Sequence, residues 1–170
     1  MRCNRLDALP AVKLPPGYTL CTLLELDEAD WIEALNATGQ LGEWDRDKTR
    51  KELEGERHVI KEGTFIITFA DRPAATTCTV DPARDAVRLE LGWVSVSPDH
   101  QGKGLGYQVC LAVMRHTYKL GYSEIYLCTD DWRLPAIKTY LNLGFEPEII
   151  HESHPARWKA VYETLDVIES

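Results

Sequence analysis

Residues 101–106 read Gln-Gly-Lys-Gly-Leu-Gly, and this stretch decides the fold. It lies between an extended apolar run at residues 89–97 and a run with helical spacing at residues 105–120. The three glycines leave backbone N–H groups unshielded, and the first turn of a helix offers unpaired N–H donors at the positive end of its dipole. The stretch therefore predicts a loop that binds a pyrophosphate at a strand-to-helix junction; the alternative is an ordinary tight turn.

The spacing of the glycines narrows the class of ligand. Neither the dinucleotide motif G-x-G-x-x-G nor the P-loop motif G-x-x-x-x-G-K-[ST] is present, whereas Q-x-x-G-x-G is. It is preceded by V-S-V-S-P at residues 94–98 and followed, at residues 136–145, by A-I-x-x-Y-x-x-x-G-F. These two motifs in this order resemble the GNAT superfamily of acyl-CoA-dependent N-acetyltransferases.

The resemblance implies a GNAT fold of the α/β (α+β) class. Its mixed and mostly antiparallel sheet has about six strands, is splayed between the fourth and fifth, and is flanked by helices. Turn residues and periodicity predict six strands, at residues 18–26, 64–70, 74–80, 87–97, 124–129 and 145–150. Helices are predicted to begin at Asp27, Asp45, Leu105, Leu134 and Pro155. The last of these is a departure, since a strand closes many GNAT sheets at this point.

Length and composition favour one domain over residues 1–170, with an irregular N-terminal arm at residues 1–16. No membrane span or signal peptide is visible, and five scattered cysteines without C-x-x-C spacing argue for reduced thiols, so we expect a cytoplasmic protein without a membrane partner. A net charge of −8 disfavours nucleic acid as a partner and favours a cationic amine.

The donor is expected to be acetyl-CoA, bound as a co-substrate. Backbone N–H groups of the glycine loop would hold its pyrophosphate, and Lys103 can add a charge-assisted contact. The predicted coenzyme ligands in this loop are Gln101, Gly102, Lys103, Gly104, Leu105 and Gly106.

The resemblance also assigns coenzyme contacts outside the loop. It implies that the pantetheine arm pairs like an extra strand with Val94, Ser95 and Val96, and that the N–H at Val94 or its neighbour polarises the thioester carbonyl. Arg133 stands where the family often has asparagine, so it is either a cation for the coenzyme or a surface residue.

Two residues are candidates for catalysis. Tyr140 matches the family's tyrosine near the coenzyme sulfur, where its hydroxyl can stabilise the leaving thiolate; the alternative is a core tyrosine. Glu90 lies on the same strand face as Val94 and is the candidate general base, directly or through water; the alternative is a salt-bridged edge carboxylate. Cys128, where some relatives carry that glutamate, is interpreted as a packing residue.

The resemblance implies that the acceptor contacts the link between the first two helices, here residues 39–45. Glu43, Trp44 and Asp45 offer an aromatic ring and two carboxylates for an ammonium group, although a packed tryptophan beside a helix cap would look the same. No metal site is expected, because His151 and His154 lack a credible third ligand. Strand edges and the C-terminal helix leave a homodimer open.

The resulting hypothesis is an N-acetyltransferase that transfers the acetyl group from acetyl-CoA to a primary amine of a small molecule or peptide. The amine would attack directly in a ternary complex, without a covalent enzyme intermediate. The alternative is a non-catalytic acyl-CoA-binding or regulatory domain that keeps the phosphate loop but lacks a working base.

Overall fold

The fold is built around one open sheet. The structure is a computed structural model that describes residues 1–83 and 87–169. Its strand order is β1-β6-β5-β4-β3-β2, and neighbours are antiparallel except for the parallel pair β5–β6. The strands are β1 (Arg2–Cys3), β2 (Tyr18–Thr22), β3 (His58–Phe69), β4 (Arg72–Asp81), β5 (Leu89–Val96) and β6 (Ile125–Tyr126). This mixed six-stranded sheet confirms the predicted fold class.

Five helices flank the sheet: α1 (Glu28–Asn36), α2 (Arg46–Glu54), α3 (Leu105–Lys119), α4 (Leu134–Asn142) and α5 (His154–Glu169). The side chain of Asp27 accepts a hydrogen bond from the N–H of Asp30, and that of Asp45 accepts one from Lys48, so the predicted starts of α1 and α2 are confirmed. The predicted C-terminal helix is confirmed as α5. Within the described ranges, no helix is long and apolar enough to cross a membrane.

The sixth strand predicted at residues 145–150 is wrong. Only Glu146 forms an isolated bridge there, with Arg2. The next residue is Pro147, which has no N–H to donate to a ladder. The edge beside β6 is instead taken by β1, from the arm predicted to be irregular.

The rest of this arm lies against α3. The guanidinium of Arg115 donates to the carbonyl oxygens of Leu9 and Pro10 at 3.1 and 2.9 Å. Leu6 is buried in the core. The arm therefore contributes both to the sheet and to the core. Its prolines and the shortness of β1 explain why the sequence predicted an irregular segment.

The two faces of the sheet carry separate cores. Ile66 and Ile67 are both fully buried, and because neighbouring strand residues point to opposite faces, they belong to different clusters. Ile67 packs with Val109 and Val113 of α3, while Ile66 packs with Trp31 of α1 and with the other tryptophans of that face. Packed cores therefore cover both faces of the sheet in which the cleft between β5 and β6 opens.

That opening follows from the short pairing of β5 with β6. The two strands pair only through Leu89 with Ile125 and Glu90 with Tyr126. On the other side of β5, the register with β4 shifts at Trp93, whose backbone is left-handed with a φ of 54°. Over the rest of β5, the edge that faces β6 is left without a strand partner in the described chain.

Candidate active site

Two cavities meet beside this unpaired edge of β5. The first, of about 610 Å³, is lined by the glycine loop, the end of β5 and the start of α4. The second, of about 390 Å³, is lined by the middle of β5 and by the segment that follows β6. Both cavities share Gln40, Val94, Arg133 and Tyr140 in their walls, so a donor in one would meet an acceptor in the other at these residues.

The glycine loop opens directly onto the first cavity. Gly102 and Gly104 have φ values of 74° and 75°, which side-chain-bearing residues rarely adopt. A Cβ built on either glycine would meet no atom within 4 Å, so open space lies beside the backbone. Gly104 immediately precedes α3, and Leu105 and Gly106 of its first turn line the cavity. Unpaired N–H donors at the positive end of α3 therefore adjoin a space that can take a pyrophosphate.

The two polar side chains of this loop brace it. The ammonium of Lys103 donates to the carbonyl of Asp99 at 2.6 Å, and the side-chain amide of Gln101 donates to the carbonyl of Val96 at 3.2 Å. Gln101 lines the first cavity, but Lys103 is not among the lining residues. His100 also lines it, with its Nδ1 2.8 Å from the Tyr18 hydroxyl; this residue was not predicted as a ligand.

The end of β5 forms one long wall of the first cavity. Val94, Ser95 and Val96 all line it, as the predicted coenzyme contacts require. Their backbone groups on the β6 side have no strand partner, so an extended ligand can pair with them as an added strand would. The Ser95 side chain is buried, and its hydroxyl has no hydrogen-bond partner among the described residues.

Tyr140 projects from α4 into the junction of the two cavities. Its side chain is only 6% exposed and packs edge-on against Phe145 with ring centroids 6.0 Å apart. Burial raises the pKa of Tyr140 well above its usual range, while the nearby charge of Arg133 opposes that shift. A phenol that keeps its proton at neutral pH can donate a hydrogen bond to a group at the junction.

Glu90 lines the second cavity as part of a polar network. The prediction that it shares a strand face with Val94 is wrong: Glu90 pairs with Val80 of one core, whereas Val94 packs in the other, because the register shift at Trp93 breaks the two-residue alternation. A single Arg57 nitrogen, Nη2, donates to both carboxylate oxygens of Glu90 at 3.1 Å, and the Tyr126 hydroxyl donates to Oε2 at 3.0 Å. Arg57 also pairs with Glu52 at 3.2 Å. Burial and the carboxylate of Glu90 raise the pKa of Tyr126 to about 12, so this phenol stays a donor. Arg57 and Tyr126 were not predicted as site residues, because neither belongs to a recognisable sequence motif.

The three residues predicted to contact the acceptor lie outside the two cavities, and Trp44 is the packed tryptophan of the alternative interpretation. Trp44 is 3% exposed and lies between Trp31 and Trp93, with ring centroids 5.7 and 4.9 Å away. Asp45 caps α2, and the carbonyl of Glu43 accepts from the ammonium of Lys48 at 3.3 Å. None of these three predicted residues is among those lining either cavity.

Two other residues of the same loop line a cavity instead; Gln40 was not among the predicted site residues. Gln40 and Leu41 line the second cavity, and Gly39 and Gly42, both with positive φ, stand on either side of them. The two glycines are visible in the sequence, although the resemblance to the family was what pointed to this loop.

Opposite this loop stands the segment after β6. Cys128, interpreted from sequence as a packing residue, is exposed and lines the second cavity together with Thr129 and Asp130. Arg133 closes the segment and lines both cavities. In the part of the chain that the structure describes, no group of three or more histidine, cysteine, aspartate or glutamate side chains could hold a metal ion.

Comparisons with known proteins agree with this architecture. The sequence pattern of the acetyltransferase (GNAT) family matches residues 23–145. Mycothiol acetyltransferase of Actinosynnema mirum is 36% identical over 164 residues, covering 92% of this chain and 51% of that protein. Mycothiol acetyltransferase of Saccharomonospora viridis is 29% identical over 150 residues, covering 81% and 48%. The chain thus spans about half the length of the curated relatives it matches.

Solved structures show the same fold. A GCN5-related N-acetyltransferase from Sphaerobacter thermophilus superposes with a TM-score of 0.72 at 22% identity, covering 86% of this chain and 47% of that one. The family match covers most of the chain and includes both the glycine loop and the helix that carries Tyr140. The chain belongs to the acetyltransferase (GNAT) family.

Proposed function

We propose that the chain transfers the acetyl group of acetyl-CoA to a primary amine of a small molecule or peptide, by direct attack in a ternary complex. The observation that carries this proposal is the meeting of two cavities at Val94 and Tyr140. One cavity has the donors for a phosphorylated coenzyme, and the other has carboxylates for an amine. A reaction between two bound substrates needs this kind of junction.

The first cavity suits acetyl-CoA in its details. The N–H groups at the start of α3 face the place for the pyrophosphate, and the free edge of β5 gives an extended pantetheine arm a partner. A thioester laid along this edge would reach the junction with its carbonyl beside the N–H of Val94. That N–H would stabilise the oxyanion as the amine attacks.

The second cavity suits a cationic amine. Glu90 and Asp130 line it, and both guanidinium groups in its wall, those of Arg57 and Arg133, are already paired with carboxylates. A carboxylate has about four acceptor positions, and Arg57 and Tyr126 take three of those on Glu90. The remaining position is available to the ammonium or to a bridging water.

The chemical step then follows from these groups. The ammonium form of the amine loses one proton to Glu90, directly or through water, and the neutral nitrogen bonds to the thioester carbon. The nitrogen gives up its second proton to solvent as the amide forms. The C–S bond breaks, and the thiolate accepts a hydrogen bond from the Tyr140 hydroxyl. An unperturbed thiol has a pKa of about 8.5, below that of a phenol at about 10, so hydrogen bonding suffices without full proton transfer.

The expected location is the cytoplasm. All five cysteines are free thiols, which fits a reducing compartment.

The decisive test measures release of free coenzyme thiol from acetyl-CoA across a panel of amines. The panel contains mycothiol-related amines, because of the names of the curated relatives, together with polyamines, aminoglycosides, amino acids and short peptides. Thermal stabilisation by acetyl-CoA, compared with ATP and NAD, checks the donor site separately. Turnover on one amine class supports the proposal. Stabilisation by acetyl-CoA without turnover on any amine points to a non-catalytic acyl-CoA-binding domain, and stabilisation only by ATP or NAD contradicts both.

Replacing Glu90 with Gln tests the general base. Glutamine keeps the size of the side chain but removes the negative charge that receives the proton, so we expect kcat/KM at neutral pH to fall about 10-fold to 100-fold. The rise of the pH–rate profile should also move to higher pH, because only amine that is already neutral can then react. Glu43→Gln is the matched control, since Glu43 is exposed and lies outside both cavity walls. An unchanged pH profile in Glu90→Gln would exclude Glu90 as the base.

A further inference from the structure

The loop between α1 and α2 is firmly held at its base. The side-chain amide of Asn36 bonds both to the N–H and to the carbonyl of Trp44, each at 2.9 Å. The indole N–H of Trp44 donates to the carbonyl of Leu41 at 3.1 Å. These contacts fix where the loop leaves α1 and where it enters α2.

The tip of the loop, residues 39–42, has fewer contacts: Leu41 packs against the core that contains Trp44, and the N–H of Gln40 donates to Oγ1 of Thr38 at 3.2 Å. Gln40 is exposed and directly follows Gly39, whose φ is 65° and beside which a Cβ would meet no atom within 4 Å. Gly42, with a φ of 75°, ends the tip. The two glycines that flank Gln40 and Leu41 give this short segment considerable backbone freedom. Gln40 nevertheless lines both cavities, so its position shapes the place where the substrates meet.

One side chain from across the cleft holds this tip. Nη2 of Arg133 donates to the carbonyl of Gln40 at 2.8 Å. Its Nε forms an ion pair with Oδ2 of Asp130 at 3.3 Å, without the geometry of a hydrogen bond, and its guanidinium stands 4.8 Å from the centre of the Trp132 ring. The Arg133 side chain is 22% exposed. The neighbouring carboxylate and ring thus orient a guanidinium that spans the cleft.

We propose that Arg133 is a positioning residue for the acceptor, which clamps the Gln40 tip as the outer wall of the second cavity. This inference rests on the proposed function. The partners of Arg133 place the clamp where the cavities meet, because Gln40 lines both cavities, Asp130 only the second and Trp132 only the first. The contacts described for Arg133 include none with the glycine loop. Because its carboxylate partner Asp130 lines only the second cavity, we assign Arg133 to the acceptor side, rather than to the coenzyme phosphates or the general surface that the sequence left open.

The clamp has a specific consequence for kinetics. Arg133 donates to the backbone carbonyl of residue 40. Whether this hydrogen bond forms therefore depends on the side chain at position 133 and not on the side chain at position 40. Lysine at position 133 offers one compact ammonium and cannot reproduce the planar guanidinium held by Asp130 and Trp132. Loss of the clamp should weaken acceptor binding and leave acetyl-CoA binding intact, because the phosphate loop and the β5 edge are untouched.

The experiment compares Arg133→Ala, Arg133→Lys and the control Arg50→Ala, which removes an exposed arginine of α2. Three quantities are measured: the Kd of acetyl-CoA by calorimetry, the KM and kcat for the best amine, and amide hydrogen exchange in residues 37–44. For Arg133→Ala we expect the acceptor KM to rise about 10-fold, as befits loss of a hydrogen bond from a charged group. The Kd of acetyl-CoA should change less than about twofold, and exchange at the tip should become faster. Arg133→Lys should fall between Arg133→Ala and wild type.

Other outcomes overturn the proposal. A 10-fold rise in the Kd of acetyl-CoA with an unchanged acceptor KM would make Arg133 a coenzyme ligand. Unchanged exchange in residues 37–44 would show that Arg133 does not hold the tip. Hydrogen exchange needs no turnover, so it tests the clamp even if wild type acetylates no amine in the panel. Failure of the clamp and failure of the proposed activity are therefore separable.

Discussion

Tyr140→Phe is expected to lower kcat about 100-fold while the Kd of acetyl-CoA changes less than about twofold. The substitution removes one hydroxyl from a side chain that is 6% exposed and keeps the ring against Phe145. The hydroxyl has no hydrogen-bond partner among the described residues, so its loss breaks no contact that stabilises the fold. The hydroxyl is expected to stabilise the transition state by donating a hydrogen bond to the departing sulfur as negative charge develops there.

Kinetics under saturating acetyl-CoA and amine, with calorimetry for coenzyme affinity, measure this effect. Tyr118→Phe is the control, because Tyr118 is an exposed tyrosine on α3 outside both cavity walls. A normal kcat in Tyr140→Phe would remove this hydroxyl from the mechanism. A large loss of acetyl-CoA affinity would instead make it a binding group.

Gly106→Asp is expected to raise the Kd of acetyl-CoA at least about 100-fold without destabilising the protein. Gly106 lies in the first turn of α3, and a Cβ there would touch only Cγ2 of Val96, at an ordinary 3.5 Å. Aspartate at a helix N-terminus interacts favourably with the dipole and avoids the backbone entropy cost of glycine. Its carboxylate, however, would stand among the N–H groups proposed for the pyrophosphate, where it repels and competes with that anion.

Thermal unfolding without ligand, followed by acetyl-CoA titration, separates these two effects. Gly106→Ala serves as the steric control: it should be about 0.5–1 kcal/mol more stable than wild type and lose far less affinity. Gly106→Asn, which is similar in size to aspartate but uncharged, should fall between them. Normal acetyl-CoA binding by Gly106→Asp would show that the phosphates do not lie at the start of α3.

The sequence predicted features whose cause is local. Asp27 and Asp45 start helices because a side-chain oxygen can pair with an N–H three residues later. The glycines at 102 and 104 adopt left-handed backbones as their residue type allows. Helical spacing after Pro155 predicted α5 correctly. The two motifs predicted family and fold class together, since they sit at the strand-to-helix and helix-to-turn junctions that define the family.

Prediction failed where a residue's neighbours come from distant parts of the chain. Trp44 reads equally well as a surface aromatic or a core residue, and its burial depends on Trp31 and Trp93 packing around it. β1 has only two residues and exists because Ile125 and Tyr126 offer it an edge. Pro147, by contrast, was a visible reason to doubt a strand at residues 145–150, because proline cannot donate to a ladder.

By itself, then, the sequence determined the family, the sheet class, the glycine loop at the start of α3 and the position of Tyr140 on its helix, since short motifs and periodicity encode backbone conformation over a few residues. Only the tertiary structure decided which groups share the two cavities. The parallel pairing of Glu90 with Tyr126 brings the Glu90 carboxylate to the Tyr126 hydroxyl. Arg57, which directly precedes β3, donates to the same carboxylate. Arg133 meets Gln40 across 93 positions of sequence. Such contacts depend on how the strands splay and the helices pack, and no local pattern records that.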